Sequence, residues 1–380
     1  IFDKLSEQDN QIRLKVRNFM ETEVKPIINE YWYKDEFPFE LIPKLKELDI
    51  CGLSYKGYGC QNKSFLLEGV VAAELSRIDP SLSTFFGVHS GLVMGSIYLC
   101  GSEEQKNYWL PKMRDMEVLG SFGLTEPLVG SGAAGGLNTT CEKKDGKWIL
   151  NGQKKWIGNS TFSDITIIWA RDINDNNVKG FIVEKDNPGF SVEKIEGKIS
   201  LKIVQNGLIT LNNCIIEEQN RLQNANSFKD TSKVLKMTRA GVAWQSVGLS
   251  MGAYETTVKY CNKRKQFGKT IDSFQLTQSY LANMLGDLTA MQNMVFRLSQ
   301  LQDNGTMNDQ QASLAKVWIT KAMRRLVSTG RELFGGNGIL LEYDIAKYMA
   351  DSEALYSYEG TAQINELIVG RSITGKQAFI

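Results

Sequence analysis

Apolar residues recur at three- to four-residue steps through much of the second half of the chain, in segments near 232–262, 273–303, 308–334 and 361–372. In the third segment Leu314, Val317, Trp318, Met323, Leu326 and Val327 keep helical spacing, and Asn308-Asp309 stands before it as a cap. None of the seven prolines lies beyond Pro188, so long helices can run there unbroken. The middle reads differently. Short β-branched and aromatic runs at 165–169, 179–183, 190–195 and 208–216 predict strands, and Asp145-Gly146 and Asn151-Gly152 flank 147–150 as two hairpin signals of a short antiparallel meander. Upstream the helical pattern returns, clearest at 72–75 and 103–110 and punctuated by Pro43, Pro80 and Pro111. The pattern predicts a helical segment 1–120, a β segment 121–230 and a helical segment 231–380. Taken alone, it supports a mixed α and β chain.

Composition narrows the chemistry. Lys and Arg number 44 against 43 Asp and Glu, a formal charge of +1, so no global field draws in nucleic acid and phosphate binding falls to local basic sites. Six cysteines without a C-x-x-C predict reduced thiols in an intracellular compartment, neither a disulfide frame nor a zinc site. The single histidine, His89, excludes His-pair metal sites, and no metal is expected. Its plainest reading is a partly buried polar residue on a helix. No run of eighteen apolar residues is present, so no membrane span is expected. The start at Ile1-Phe2-Asp3-Lys4 without Met reads as processed or trimmed, and the end at Gln377-Ala378-Phe379-Ile380 is not an S-K-L address.

Residues 130–135, Gly-Ser-Gly-Ala-Ala-Gly, satisfy G-x-G-x-x-G, yet a dinucleotide fold needs a helix opening on those glycines inside a βαβ unit. Here Asn138-Thr139-Thr140 and a hairpin follow, so the match is a decoy. Five other blocks stand in order: Leu124-Thr125-Glu126-Pro127 with Gly130-Ser131; Lys155-Trp156-Ile157-Gly158-Asn159; Arg264 with Gln266-Phe267-Gly268; Phe334-Gly335-Gly336-Asn337-Gly338; and Tyr358-Glu359-Gly360-Thr361. By local reading each has a plain alternative. Glu359 could cap a helix starting near Thr361, Trp156 could be β-core, 263–265 a solvated basic turn, and Gly335-Gly336 a helix C-cap.

Together, over essentially the whole chain, the blocks resemble the flavin-dependent acyl-CoA dehydrogenase and acyl-CoA oxidase family. The text stands nearest to short-chain acyl-CoA oxidases and glutaryl-CoA dehydrogenase-like members. The resemblance implies an α+β fold with an N-terminal helical domain, a middle β-barrel-like domain and a C-terminal four-helix bundle. It implies FAD as cofactor, held by Leu124, Thr125, Trp156, Ile157, Gly158, Arg264, Gln275, Gly335, Gly336, Thr361 and Gln363. Ser131, Arg239, Tyr358 and Gly360 would contact substrate, His89 could line the acyl end, and Glu359 would be the catalytic base. The implied reaction is α,β-dehydrogenation of a short-chain acyl-CoA, with electrons passed to an electron-transfer flavoprotein. The alternatives are an oxidase passing them to O2, and a non-catalytic assembly subunit. A homodimer or homotetramer in the mitochondrial matrix, or else the peroxisome, is also implied.

Four positions depart from relatives. Gly132 replaces the usual Asp and Gly158 the usual Thr; Ser83 stands where glutaryl-CoA dehydrogenases carry arginine, and Thr238 where isovaleryl-type enzymes carry their base. Removing a proton beside a thioester carbonyl needs a shielded carboxylate tuned upward. Since no side chain accepts a hydride, that chemistry demands a flavin.

Overall fold

Helices, then a sheet, then helices again succeed one another along the described residues, 2–377, of the computed structural model. Ile1, Ala378, Phe379 and Ile380, on which part of the terminal readings rests, lie outside them. Among the N-terminal helices, Glu7–Phe19, Phe65–Ile78 and Glu103–Arg114 are each opened by a serine. Ser6, Ser64 and Ser102 accept the backbone N–H three residues on, which satisfies an otherwise orphaned donor and contributes about 1 kcal/mol per helix. Pro80 is the first residue of Pro80–Phe86, where a missing N–H is harmless. Pro111 does not punctuate as expected; it lies inside Glu103–Arg114. So near the helix end it removes one hydrogen bond and the last turn survives.

The helical run Pro80–Cys100, 21 residues, is long and apolar enough to cross a bilayer by length and composition. It is instead a mostly buried core helix of this fold, broken at mid-length by the wider π-turn Gly87–Val93 that carries His89. His89 is fully buried, beyond the partial burial expected. Its Nδ1 accepts the Gly120 N–H at 3.3 Å and its Nε2 lies 2.9 Å from the Met113 carbonyl. The protonated Nε2 then donates to that carbonyl, and the ring ties helix to sheet.

The sheet has seven strands: β1 (Gly120–Gly123), β2 (Thr140–Lys144), β3 (Lys147–Ile157), β4 (Ile165–Asp172), β5 (Val178–Glu184), β6 (Phe190–Lys194) and β7 (Gly207–Glu217). Their order is β1-β4-β2-β3-β7-β6, with β5 added to β4. No pairing of β1 with β6 closes it among the described residues, so it is a half-barrel. Asp145-Gly146 turns β2 into β3 with φ of 49° and 81°, as a two-residue hairpin requires. Asn151-Gly152 is no turn. It lies within β3, at a register shift between Leu150 and Gly152, and a Cβ on Gly152 would meet the Thr139 Cα at 2.6 Å. The glycine marks a bulge beside a neighbouring backbone.

Among the described residues the C-terminal part holds five α-helices, Phe228–Cys261, Gln275–Asp303, Asp309–Leu333, Ile345–Ser357 and Ala362–Thr374. The fourth hides from hydrophobic periodicity because its buried face includes Lys347, Tyr348, Asp351 and Ser352. Phe228–Cys261 lies against Phe65–Ile78 so closely that Cβ atoms on Gly248 and Gly252 would fall 2.2 and 2.0 Å from the carbonyls of Ala73 and Arg77. That contact fixes the helix that carries Thr238, Arg239 and Gln245.

Candidate active site

The chain leaves Ile345–Ser357 through extended Tyr358, makes a left-handed step at Glu359 (φ 54°) and Gly360 (φ 88°), and enters Ala362–Thr374. Thr361 caps that last helix, its Oγ1 accepting from Ile364 N at 3.2 Å. Glu359 is therefore not the cap. Its Oε2 accepts the Thr238 hydroxyl at 3.1 Å, from the middle of Phe228–Cys261. The residue stays half-buried, leaving access for a ligand. Burial nonetheless acts most strongly on the carboxyl and raises its pKa, against the opposing pull of Arg239, Thr238 and Lys316.

Tyr358, beside Glu359, donates its hydroxyl to Gln245 Oε1 at 2.8 Å and lies 3.3 Å from Thr84 Oγ1. Gln245 Nε2 donates in turn to the Ser83 carbonyl at 3.1 Å. Ser83 itself is buried, its hydroxyl turned to the Ala72 carbonyl. Arg239 pairs with Asp309 while its Nε has no partner among the described residues. Gly360 is held through its carbonyl, which accepts from Lys316 Nζ and Asn365 Nδ2, each at 2.8 Å. Sequence reading missed Gln245, Lys316 and Asn365. A signal existed for Lys316: a lysine standing among the buried positions Ala312, Ala315, Ile319 and Met323 of its helix.

A second group of predicted residues surrounds the end of β1 and the β3 bulge. Leu124 is buried and Thr125 partly exposed. Lys154, fully buried, donates to the Leu124 carbonyl at 3.0 Å and to Glu126 Oε1 at 2.8 Å. Glu126 also accepts from the backbone of Asn138 (2.6 Å) and Thr139 (2.9 Å), so the loop 124–139 is closed at its base by one ion pair. At the outer end of that loop Ser131 and Gly132 are exposed, and nothing lies within 4 Å of a Cβ placed on Gly132. Trp156 is not β-core. It adopts φ 66° and is 53% exposed, while Ile157 behind it is buried. A Cβ on Gly158 would stand 3.1 Å from Val204 Cγ1.

The third group lies around an aromatic cluster, where Tyr260 stacks on Phe334 at 3.9 Å and both meet Tyr343 edge-on. Arg264 follows Tyr260 by four residues and makes no side-chain hydrogen bond or ion pair among the described residues, while its backbone N–H donates to the Tyr260 carbonyl at 2.8 Å. Gly335 (φ 57°) ends Asp309–Leu333 as a left-handed residue, so the C-cap reading holds there; it and Gly336 are exposed with open space around them. Asn337 binds the Tyr260 hydroxyl at 2.9 Å, so Arg264 and Gly335-Gly336 share one neighbourhood. Gln275 starts Gln275–Asp303 and Gln363 is exposed near the start of the last helix. No hydrogen bond joins Arg264, Gln275, Gly335 or Gly336 to Glu359. An exposed indole and an unpaired guanidinium beside open glycines fit a planar ring system and a pyrophosphate.

Comparison with known proteins matches residues 6–117 to the acyl-CoA dehydrogenase N-terminal domain, 121–214 to its middle domain and 228–374 to its C-terminal domain. An acyl-CoA dehydrogenase of Bacillus subtilis is 32% identical over 98% of this chain and 99% of its own length. The caffeyl-CoA reductase-Etf complex subunit CarC of Acetobacterium woodii is 30% identical over 98% and 99%. A glutaryl-CoA dehydrogenase from Mycobacterium smegmatis, solved in complex with FADH2, superposes with a TM-score of 0.96 at 33% identity, covering 99% of this chain and 97% of that one.

Proposed function

Because the chain belongs to the acyl-CoA dehydrogenase family of oxidoreductases, with FAD as its cofactor, we propose that it oxidises a short, uncharged acyl-CoA to the trans-2-enoyl-CoA, Glu359 being the base. The α-proton of the thioester goes to the Glu359 carboxylate. Bound FAD supplies the acceptor for the β-hydrogen and its electron pair. Thr238 orients the carboxylate by its 3.1 Å hydrogen bond and stabilises the ionised form. The left-handed step at Glu359 and Gly360 lays the backbone open for close approach of the thioester.

One observation carries the reading: a half-accessible carboxylate, raised by burial, fixed by a hydroxyl and faced by two cations. A general base is most effective when its pKa lies near the working pH. The substrate class rests on the groups beside it. Thr84, Tyr358 and Gln245 are uncharged and satisfy one another, and Ser83 turns its hydroxyl to the backbone. A distal carboxylate would find no cation among them, and an unpaired buried charge is costly.

Electrons pass to an electron-transfer flavoprotein in this reading, supported by the Etf complex of the Acetobacterium woodii relative. A second copy of the chain is the proposed partner on the face where Phe267 is 92% and Leu276 74% exposed near the unpaired Arg264.

The test is anaerobic addition of butyryl-CoA to the purified holoprotein. Bleaching of the flavin is expected in wild type and its absence in Glu359→Gln. Reoxidation by electron-transfer flavoprotein but slowly by air is expected; rapid peroxide formation in air would make the enzyme an oxidase. Bleaching that survives Glu359→Gln overturns the assignment of the base.

A further inference from the structure

The turn that presents Glu359 is conformationally expensive. A non-glycine residue in the left-handed region costs roughly 1 kcal/mol or more, and here Glu359 and Gly360 adopt it in succession. Something must over-determine that shape.

Lys316 is placed to do so. It projects from Asp309–Leu333 and is fully buried. Its Nζ donates to the Tyr356 carbonyl and to the Gly360 carbonyl, each at 2.8 Å. Tyr356 lies in the last turn of Ile345–Ser357, whose terminal carbonyls have no partner inside the helix. One ammonium thus spans the four residues Ser357, Tyr358, Glu359 and Gly360, gripping the chain before and after the base. It also complements the negative end of that helix dipole. Asn365 adds a second donor to the Gly360 carbonyl but does not reach Tyr356.

Among the described residues Lys316 has no salt-bridge partner; Glu359 is the carboxylate acting on its charge and Arg239 the cation. Arg239 is itself engaged by Asp309, from the first turn of the same helix. On this helix the exposed Lys321 pairs with Glu366, Arg324 with Glu353 and Arg325 with Asp287, while on the packed helix Ile345–Ser357 the buried Lys347 pairs with Asp79. The field of Lys316 therefore falls mainly on the base. Burial lowers its own pKa to about 8, so it remains mostly charged at neutral pH.

We propose that Lys316 is a positioning residue for the proton abstraction, clamping the left-handed Glu359-Gly360 turn through the two flanking carbonyls and supplying the cation that faces the carboxylate. It touches no reacting atom; it acts through Glu359. This rests on the reading of Glu359 as the base.

Lys316→Met removes both donors and the charge at similar volume. The expected result is a kcat about a hundredfold lower, the scale of a misplaced catalytic group. The acid limb of the kcat/KM profile should move to higher pH, because the carboxylate loses a facing cation. Flavin content and equilibrium binding of crotonyl-CoA should stay as in wild type, and Lys316→Arg should restore the limb. An unchanged kcat and limb overturns the proposal. So does a lowered kcat with an unmoved limb and lost flavin, which marks a merely structural lysine. If Lys316→Met yields no folded holoprotein, Lys316→Gln, which keeps a donor and drops the charge, gives the same two readings. Glu359→Gln separates the layers: activity surviving there removes the base and the clamp together, whereas an unmoved limb in the Lys316 variants removes the clamp alone.

Discussion

Thr238 donates a hydrogen bond from its hydroxyl to Glu359 Oε2 at 3.1 Å, joining one long helix to a turn 121 residues away. The same hydroxyl lies within reach of the Val234 and Leu235 carbonyls, 3.2 and 3.3 Å away on its own helix. Its rotor therefore chooses between backbone and base, and a charged acceptor favours the base. Thr238 stands where isovaleryl-type enzymes carry their base; in this chain it has no carboxylate and hydrogen-bonds Glu359 instead.

Thr238→Val keeps the shape and deletes the donor. The ionised carboxylate loses a stabilising bond, so the pKa of Glu359 rises further and the acid limb of kcat/KM moves to higher pH. Hydrogen bonds to charged groups are worth about 1.5–3 kcal/mol, so kcat at neutral pH should fall roughly tenfold. Initial rates with butyryl-CoA from pH 5 to 9 measure both. An unshifted limb removes Thr238 from the tuning of the base.

Gly132 is the departure that made a non-catalytic role conceivable. The space around it is empty and its φ of −83° is one any residue adopts. Gly132→Asp should therefore leave the melting temperature within about 2 °C, as surface changes usually stay within ±0.5 kcal/mol. By accepting backbone N–H groups it should stiffen the loop that carries Ser131 and lower KM for acyl-CoA without changing kcat. A lower kcat at unchanged KM would show that the mobility of this loop matters to turnover.

Lys154 and Glu126 form the buried ion pair under the loop that joins β1 to β2, with side-chain exposures of 0% and 2%. Burial lowers the Lys154 pKa to about 8, while the lysine, Thr139 and Asn138 hold the Glu126 pKa below its usual value. Removing one partner leaves the other charge unpaired, which costs about 3–5 kcal/mol. Lys154→Met should cost that much in thermal or denaturant unfolding and weaken FAD retention, because Leu124 and Thr125 lose their support. The double variant with Glu126→Gln should recover part of the stability. Full additivity of the two changes would show that the pair is not coupled.

How much of this could be read from the chain depended on whether hydrophobicity or polarity specified the element. The segments near 232–262, 273–303 and 308–334 emerge as Phe228–Cys261, Gln275–Asp303 and Asp309–Leu333, because each buries an apolar stripe. Ile345–Ser357 escaped, since Lys347 and Asp351 are buried by pairing and hydrogen bonding rather than by being apolar. Asn151-Gly152 carries the chemistry of a turn, but its glycine serves a crossing backbone that only the tertiary fold supplies. For the candidate site, Glu359 could be singled out because its Glu-Gly step is local. Lys316 and Gln245 reach the same turn from 43 and 114 residues upstream, and no local pattern encodes such a meeting.

Two buried groups titrate in one pH window with opposite sign. Burial depresses the His89 pKa to about 4 from its ordinary 6.5. The neutral ring is favoured by folding, so its contribution is fully present above pH 6.5 and is lost as pH falls through 4. Asp351 lies in the junction where its Oδ1 accepts from Trp32 Nε1 (3.1 Å) and Leu201 N (2.6 Å). Burial and the neighbouring Asp79 push its pKa up to about 7 from 3.8, with Lys347 opposing. Its contribution is fully present below pH 3.8 and is lost as pH rises through 7. Each amounts to roughly 3 to 4 kcal/mol at 1.36 kcal/mol per pKa unit, so in wild type they largely cancel. Asp351→Asn keeps an acceptor for the two donors and removes the titration. Its stability relative to wild type should be level below pH 4, rise between pH 4 and 7, and level again above. His89→Gln should show the mirror image, its difference from wild type growing in its favour as pH falls from 6.5 to 4. Urea unfolding of the three proteins at pH 4, 5.5, 7 and 8 reads both differences. A difference between Asp351→Asn and wild type that does not change with pH would mean that folding leaves the Asp351 pKa at its unfolded value.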